Sequence, residues 1–118
     1  MTKKKILIVA HPDDELIFFS SILQTVDKIV VCFGKSFEDN NITNGRKILQ
    51  KSYPLKNVEW LNLDESDTYL SSNWNKPFPK VEGLKVNRNK FRYQNLYYEL
   101  CDIFKSKLEP YDIIYTHN

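Results

Sequence analysis

Apolar residues in this chain gather in four short runs that more polar stretches separate. The runs are KILIVA at 5–10, KIVVCF at 28–33, VEWLNL at 58–63 and DIIYT at 112–116. Their length and residue content predict four β-strands. The first two and the last are nearly continuous in apolar residues, which is typical of strands covered on both faces in a parallel sheet.

Three segments with helical spacing alternate with these runs and span residues 14–26, 44–53 and 91–109. Apolar residues on one face of the first segment can pack on a sheet, namely Leu16, Phe19, Leu23 and Val26. Strands that alternate with helices indicate crossover connections. The pattern therefore predicts an α/β fold, with a Rossmann-like, open, mostly parallel sheet of about four strands and flanking helices.

Residues 64–90 fit neither the strand period nor the helix period. An irregular stretch of this length is uncommon in a small domain unless it has a function or contains a short unrecognised element. Its aromatic side chains allow two interpretations, a stacking wall for a sugar or packing of the loop onto the body of the domain. These side chains are Tyr69, Trp74 and Phe78.

The length of 118 residues and the apolar fraction of 42% indicate a single folded domain over residues 1–118. The formal net charge of +2 gives no reason to expect a nucleic-acid partner. The apolar run after Lys5 is too short for a signal peptide or a membrane span, so we expect a cytoplasmic protein. Cys32 and Cys101 form no CxxC pair, which favours two free thiols.

The segment AHPDDE at residues 10–15 places a histidine and three acids at the end of the first predicted strand. Ligands of open parallel sheets bind at the carboxyl ends of the strands, where His11 is expected. Acids at a helix N-terminus are ordinarily explained by capping and by the helix dipole. Three acids beside a histidine also repel one another, and a bound cation would relieve this repulsion. Both interpretations stay open from the residues alone.

A catalytic zinc takes about three protein ligands, of which His11 and Asp14 could supply two. Asp13 would then be free to accept a proton from water. The second histidine, His117, follows the fourth predicted strand and could converge on the same sheet edge. Equally, it could point into solvent as a side chain near the chain end.

AHPDDE directly after a buried first strand resembles the signature of the PIG-L/LmbE family of N-acetylglucosaminyl deacetylases. The resemblance implies that His11 and Asp14 bind zinc, or another divalent metal. It also implies that Asp13 is the general base for water that attacks the acetamide carbonyl. Arg46 resembles the family's arginine near the substrate, although Leu49 stands where the family often has a glutamate.

Two later segments also resemble the family. VEWLNLDESD resembles its third strand and the acidic stretch that follows, with Asp64 or Asp67 as a substrate contact. YDIIYTHN resembles the fourth strand, which in the family leads to an H-x-x-H segment that supplies the third zinc ligand and an oxyanion-stabilising histidine. The sequence ends at Asn118, before such a segment, so we expect an incomplete family domain that is truncated at its C-terminal end. His117 does not stand at the family's ligand position.

Two hypotheses of function follow. The first is a zinc-dependent hydrolase that removes an acetyl group from a small-molecule amino sugar of the N-acetylglucosamine type, or from a conjugate of one. The second is an inactive or truncated remnant that acts as a sugar- or metal-binding module. In either case the fourth strand would expose a sheet edge, and we expect the chain to cover this edge as a homo-oligomer or to be only marginally stable. Nucleotide binding is disfavoured because no glycine-rich phosphate loop follows the first strand.

Overall fold

The computed structural model describes residues 2–36, 39–66, 76–81, 83–85 and 91–116. In chain order these ranges contain β1 (Lys5–Val9), α1 (Asp14–Phe18), β2 (Lys28–Lys35), α2 (Asn40–Lys51), β3 (Val58–Asp64), β4 (Pro79–Lys80), β5 (Gly83–Leu84), α3 (Phe91–Leu108) and β6 (Ile113–Thr116).

Four strands form one sheet in the order β3-β2-β1-β6. β1 pairs with β2 on one side and with β6 on the other, and β2 pairs in turn with β3. All three pairings are parallel, which confirms the predicted α/β fold with an open parallel sheet of four strands. β4 and β5 form a short antiparallel hairpin inside the stretch that was expected to be irregular.

The core lies on the two inner strands, where successive residues are buried. The buried side chains of β1 and β2 are Ile6, Leu7, Val9, Ile29, Val30, Val31 and Cys32. Their continuous apolar runs therefore mark strands covered on both faces, as predicted. Burial raises the pKa of the Cys32 thiol to about 11.

The last strand departs from the sequence prediction. Residues of β6 alternate between half-buried and exposed, and Ile114 is 47% exposed. The expectation that this strand is covered on both faces is therefore wrong. The reason is its position, because β6 stands at the end of the strand order and pairs with β1 alone among the described strands. Self-association at this edge stays a prediction.

The first helix is shorter than its apolar spacing predicted, since α1 ends at Phe18. Turns follow it, with the N–H of Ile22 donating to the carbonyl of Phe19 and the N–H of Thr25 donating to that of Ile22. These turns still bring Phe19, Ile22 and Leu23 against the core. Leu16, by contrast, is 43% exposed, so the predicted apolar face reaches the sheet only in its second half.

The second helix begins earlier than predicted because Asp39 caps it. The Asp39 carboxylate accepts hydrogen bonds from the N–H groups of Asn41 and Ile42, at 2.9 and 3.2 Å. An aspartate in this position satisfies N–H groups that have no partner within a helix. α3 agrees with the predicted helix at 91–109, and Pro110 follows its end.

Gly34 allows a close approach between β2 and β3. A Cβ atom at Gly34 would lie 1.9 Å from the side-chain oxygen of Asn62 and 3.0 Å from its Cα. Asn62 itself has a φ of 54°, in the left-handed region that asparagine tolerates better than most residues. The strand pairing shifts register near this point, between Val31 and Lys35.

A carboxylate on β3 links β2 to α3 through two lysines. Lys28 Nζ lies 2.6 Å from one oxygen of Glu59, and Lys107 donates a hydrogen bond to the other. The hydrogen bonds from Lys107 and Lys28 hold the pKa of Glu59 below its ordinary value of 4.5. The triad therefore joins the C-terminal helix to the sheet through charge.

Replacing Glu59 by glutamine is expected to lower the free energy of unfolding at pH 7 by about 1 kcal/mol, since solvent screens part of the attraction. A lowered carboxyl pKa stabilises the fold fully above pH 4.5, and this contribution is lost as the pH falls through the folded-state pKa. The wild type and the variant should therefore converge in acid. Urea unfolding between pH 7 and pH 3 measures the difference. Glu99→Gln, at an exposed position on α3, is the control.

Candidate functional site

The carboxyl ends of β1 and β3 bring His11 and Glu65 to one edge of the sheet. β1 ends at Val9 and β3 ends at Asp64, so each side chain follows its strand closely. The N–H of Phe33 donates to the carbonyl of Ala10 at 2.8 Å. This hydrogen bond extends the pairing of β1 with β2 to the residue before His11. His11 therefore lies where the strand-end rule for open sheets places a ligand-binding residue.

His11, Glu65 and Arg46 form a chain of polar contacts across this edge. His11 Nε2 lies 2.6 Å from Oε2 of Glu65, and Arg46 Nη1 lies 2.8 Å from Oε1 of the same carboxylate. Arg46 comes from α2, whose first turn is fixed to the end of β2. There Thr43 donates to the carbonyl of Ser36 and accepts from its N–H. The Glu65 carboxylate thus bridges the histidine and the arginine.

Glu65 is buried, with 1% of its surface exposed. Burial by itself opposes ionisation, but the hydrogen bond with His11 and the Arg46 guanidinium outweigh it and hold the pKa of Glu65 below its ordinary value. A buried carboxylate at neutral pH costs several kcal/mol unless it is paired, so loss of either partner is expected to destabilise the fold.

Asp14 folds back onto His11 at the start of α1. Its Oδ2 atom accepts a hydrogen bond from the backbone N–H of His11 at 2.9 Å. The same oxygen lies 3.6 Å from Nδ1 of the His11 ring. The imidazole therefore has Glu65 at one nitrogen and Asp14 near the other.

Asp13 occupies an unusual backbone conformation between Pro12 and α1. Its φ of 77° lies in the left-handed region, and its N–H donates to the hydroxyl of Tyr53 at 3.2 Å. The side chain is exposed and makes no capping hydrogen bond to α1. Residues held in this region cost free energy and are concentrated at functional sites. The turn thus directs Asp13 away from the capping role that an acid at this position commonly has.

Glu15 is fully buried, at 0% exposure, and neither carboxylate oxygen has a hydrogen-bond partner among the described residues. Burial raises the pKa of Glu15, an effect that nearby backbone amides offset only in part. An acid that merely complements the helix dipole would lie in solvent. The capping explanation therefore does not account for Glu15.

A cleft of about 420 Å³ opens beside these residues. One wall is the motif from His11 to Asp14, and the other is α2, with Asn41, Ile42, Gly45, Arg46 and Leu49. A volume of this size is within the range of small-molecule sites, about 300–1,000 Å³. Asp13 and Arg46 therefore face the same space from opposite walls.

The structure brings together the four residues that were predicted for the site, His11, Asp13, Asp14 and Arg46. Asp64, one of the two predicted substrate contacts, instead accepts hydrogen bonds from the N–H and the hydroxyl of Ser66. Phe78 is 64% exposed, with Lys85 Nζ 5.9 Å from its ring centroid. The remaining predicted positions lie outside the described residues: Asp67, Tyr69, Trp74 and His117.

Glu65 is not among the site residues that the sequence predicted. The acidic stretch after β3 did indicate that a carboxylate would reach this edge, but the choice fell on its neighbours Asp64 and Asp67. Side chains that leave a strand end alternate in direction, and the turn after β3 decides which one points to β1. Only the folded structure, in which β3 pairs with β2 and lies two strands from β1, resolves that choice.

Among the described residues, no three histidine, cysteine, aspartate or glutamate side chains are arranged to hold a metal ion. His11 and Asp14 are thus a pair of candidate ligands without a third in that part of the chain. The same part of the chain contains no helix long and apolar enough to cross a membrane.

Comparisons with known proteins identify no family. No family model matches the chain, and no solved structure matches it. An uncharacterized protein of Acanthamoeba polyphaga mimivirus is 31% identical over 91 residues, which cover 60% of this chain and 37% of that relative. The chain thus spans well under half the length of the viral protein.

Proposed function

We propose that this chain carries the site of a zinc-dependent hydrolase of the PIG-L/LmbE type, which removes an acetyl group from an N-acetylated amino sugar or its conjugate. The observation that carries the proposal is the paired placement of His11 and Asp14 beside an exposed Asp13. All three side chains line one cleft of small-molecule size. The resemblance of AHPDDE to the family signature adds the reaction class.

His11 and Asp14 fit a zinc ion as two of its ligands. Zinc binds nitrogen and oxygen ligands at about 2.0–2.2 Å with tetrahedral angles. Two of its donor atoms are therefore about 3.4 Å apart. His11 Nδ1 and Asp14 Oδ2 are separated by 3.6 Å.

A bound zinc would polarise the acetamide carbonyl and lower the pKa of water beside it. Asp13 is free to accept the proton of that water, because its side chain is exposed to the cleft and does not cap α1. Arg46 uses Nη1 for Glu65. A guanidinium has five N–H donors, so others are available for a sugar hydroxyl or a carbonyl oxygen of the substrate.

A second candidate function is a remnant module that binds an amino sugar, or a metal weakly, without turnover. The specific observation in its favour is the lack of a third metal ligand among the described residues. This alternative predicts no release of acetate even with excess zinc. The hydrolase proposal predicts release, from this chain or from a version of it extended beyond Asn118.

Zinc titration by calorimetry separates ligand residues from bystanders. We expect the wild type to bind one zinc, and His11→Ala or Asp14→Asn to weaken binding at least about 100-fold, since each removes a direct ligand. Asp13→Asn should keep zinc affinity but lower acetate release by about 10²–10⁴-fold. Asp102→Asn, at an exposed site on α3, is the control.

The proposal fails if zinc binds equally well to the wild type and to both ligand variants. It also fails if neither the chain nor the extended version binds zinc. A titration of His117→Gln in the same series decides whether the second histidine contributes a ligand.

A further inference from the structure

The His11 ring is held between two acids that treat its nitrogen atoms differently. Nε2 is at hydrogen-bond distance from Glu65, 2.6 Å, whereas Nδ1 is 3.6 Å from Asp14, too far for a hydrogen bond. A neutral imidazole has one nitrogen that donates and one that accepts. Donation to Glu65 requires the proton on Nε2, whereas donation to Asp14 would require it on Nδ1. The shorter contact favours the first tautomer.

The direction of the short contact follows from Arg46. Arg46 Nη1 lies 2.8 Å from Glu65 Oε1 as an ion pair, although the geometry of the two groups does not form a hydrogen bond. With the guanidinium beside it, the Glu65 group is a carboxylate, which has no proton to donate. His11 Nε2 must then be the donor in its contact with Oε2.

We infer that Glu65 is a positioning residue that keeps the imidazole proton of His11 on Nε2 and so leaves the Nδ1 lone pair directed toward Asp14. The inference rests on the proposed function for its purpose, because a free Nδ1 is what a metal needs. Metal-binding histidines commonly donate their second N–H to a carboxylate, which fixes the tautomer and the ring orientation. Arg46 holds that carboxylate in place from α2.

Substitution of Glu65 by glutamine is expected to reverse the tautomer. The variant has a single acceptor oxygen, and the positive charge of Arg46, which has no acceptor atom, favours the orientation with that oxygen toward Nη1. The amide NH₂ group is then left to face His11 Nε2, which must accept. The proton would move to Nδ1, the nitrogen nearest Asp14. A protonated Nδ1 has no lone pair with which to bind a metal.

Nitrogen-15 NMR of the imidazole in metal-free protein reads the tautomer directly. The His117→Gln background leaves His11 as the single histidine, and the tautomer is read from spectra recorded at increasing pH until the ring signals no longer change. We expect the His11 proton on Nε2 in this background and on Nδ1 after the further substitution Glu65→Gln. The Glu65→Gln protein should also bind zinc about 10–100-fold more weakly than the background. Glu59→Gln makes the same chemical change on β3 away from His11. It should alter neither the His11 tautomer nor the zinc affinity.

A proton on Nδ1 of His11 in the background protein would overturn the inference, and this measurement does not depend on whether the variant folds. An unchanged tautomer in a folded Glu65→Gln variant would overturn it as well. The proposed function is judged separately. If the proton is on Nε2 but no zinc binds, the positioning role stands and the hydrolase proposal fails. If zinc binds through His11 but the proton is on Nδ1, the positioning role fails and the hydrolase proposal stands.

Discussion

Arg46→Met is expected to destabilise the fold by about 2–4 kcal/mol, because it removes one of two partners of a buried charge. The Glu65 side chain is 2% exposed and Arg46 is 16% exposed. After the substitution the carboxylate would depend on His11 alone. Urea unfolding followed by circular dichroism at pH 7 measures the loss, provided that the slope with denaturant is unchanged.

Lys47→Met is the matched control, since it removes a neighbouring charge from the exposed face of α2. Its effect should stay within about 0.5 kcal/mol. A result for Arg46→Met as small as that of the control would contradict the assignment of Arg46 to Glu65. Arg46 would then have only the role near the substrate that the family resemblance implies.

Glu15→Gln is expected to have the opposite effect and to raise the free energy of unfolding at pH 7.5 by about 1–3 kcal/mol. At pH 7.5 the wild type must either bury an ionised carboxylate or keep a proton that the unfolded chain has released, and each costs free energy that the uncharged amide avoids. Glu15 is fully buried, and neither of its carboxylate oxygens has a partner among the described residues. The glutamine keeps the shape and removes the possibility of charge.

The pH dependence of this gain follows from the raised pKa of Glu15. Above its ordinary pKa of 4.5 the unfolded chain releases the proton while the folded chain retains it. The folded state then binds more protons, so the wild type loses stability as the pH rises from 4.5 through the folded-state pKa. Wild type and variant should therefore be closest in stability below pH 4.5 and differ most at alkaline pH.

Unfolding curves of the two proteins at pH 4 and pH 7.5 test this, with Glu109→Gln at an exposed position as the control. A variant that is less stable than the wild type at pH 7.5 would contradict the expectation. It would mean that the Glu15 carboxylate is ionised and has a cationic partner outside the described residues.

Much of the sheet could be predicted from the local pattern of apolar and polar residues. The four apolar runs become the four strands of the sheet, because period and residue type act within a few residues of one another. The placement of His11 and Asp14 also follows from adjacency, since both stand at the end of β1 and the start of α1. The cap at Asp39 was readable in the same way, but the prediction began α2 too late.

The helix after His11 shows where local pattern is insufficient. Apolar spacing over 14–26 is compatible with one long helix, yet α1 ends at Phe18 and turns carry the remaining apolar side chains to the core. Both solutions bury Phe19 and Leu23, so the period alone cannot choose between them. The exposed face of β6 is a similar case, because its apolar content does not reveal that it stands at an edge.

Neighbouring residues were sufficient to predict the α/β sheet and the strand-end segment with His11, because both depend on local pattern. The contact of His11 with Glu65, 54 residues away, and the ion pair of Glu65 with Arg46 depend on the whole fold. The whole fold also determines that Glu15 is buried within the same motif that exposes Asp13. Such contacts depend on strand register and on the direction of each turn, which no local pattern specifies.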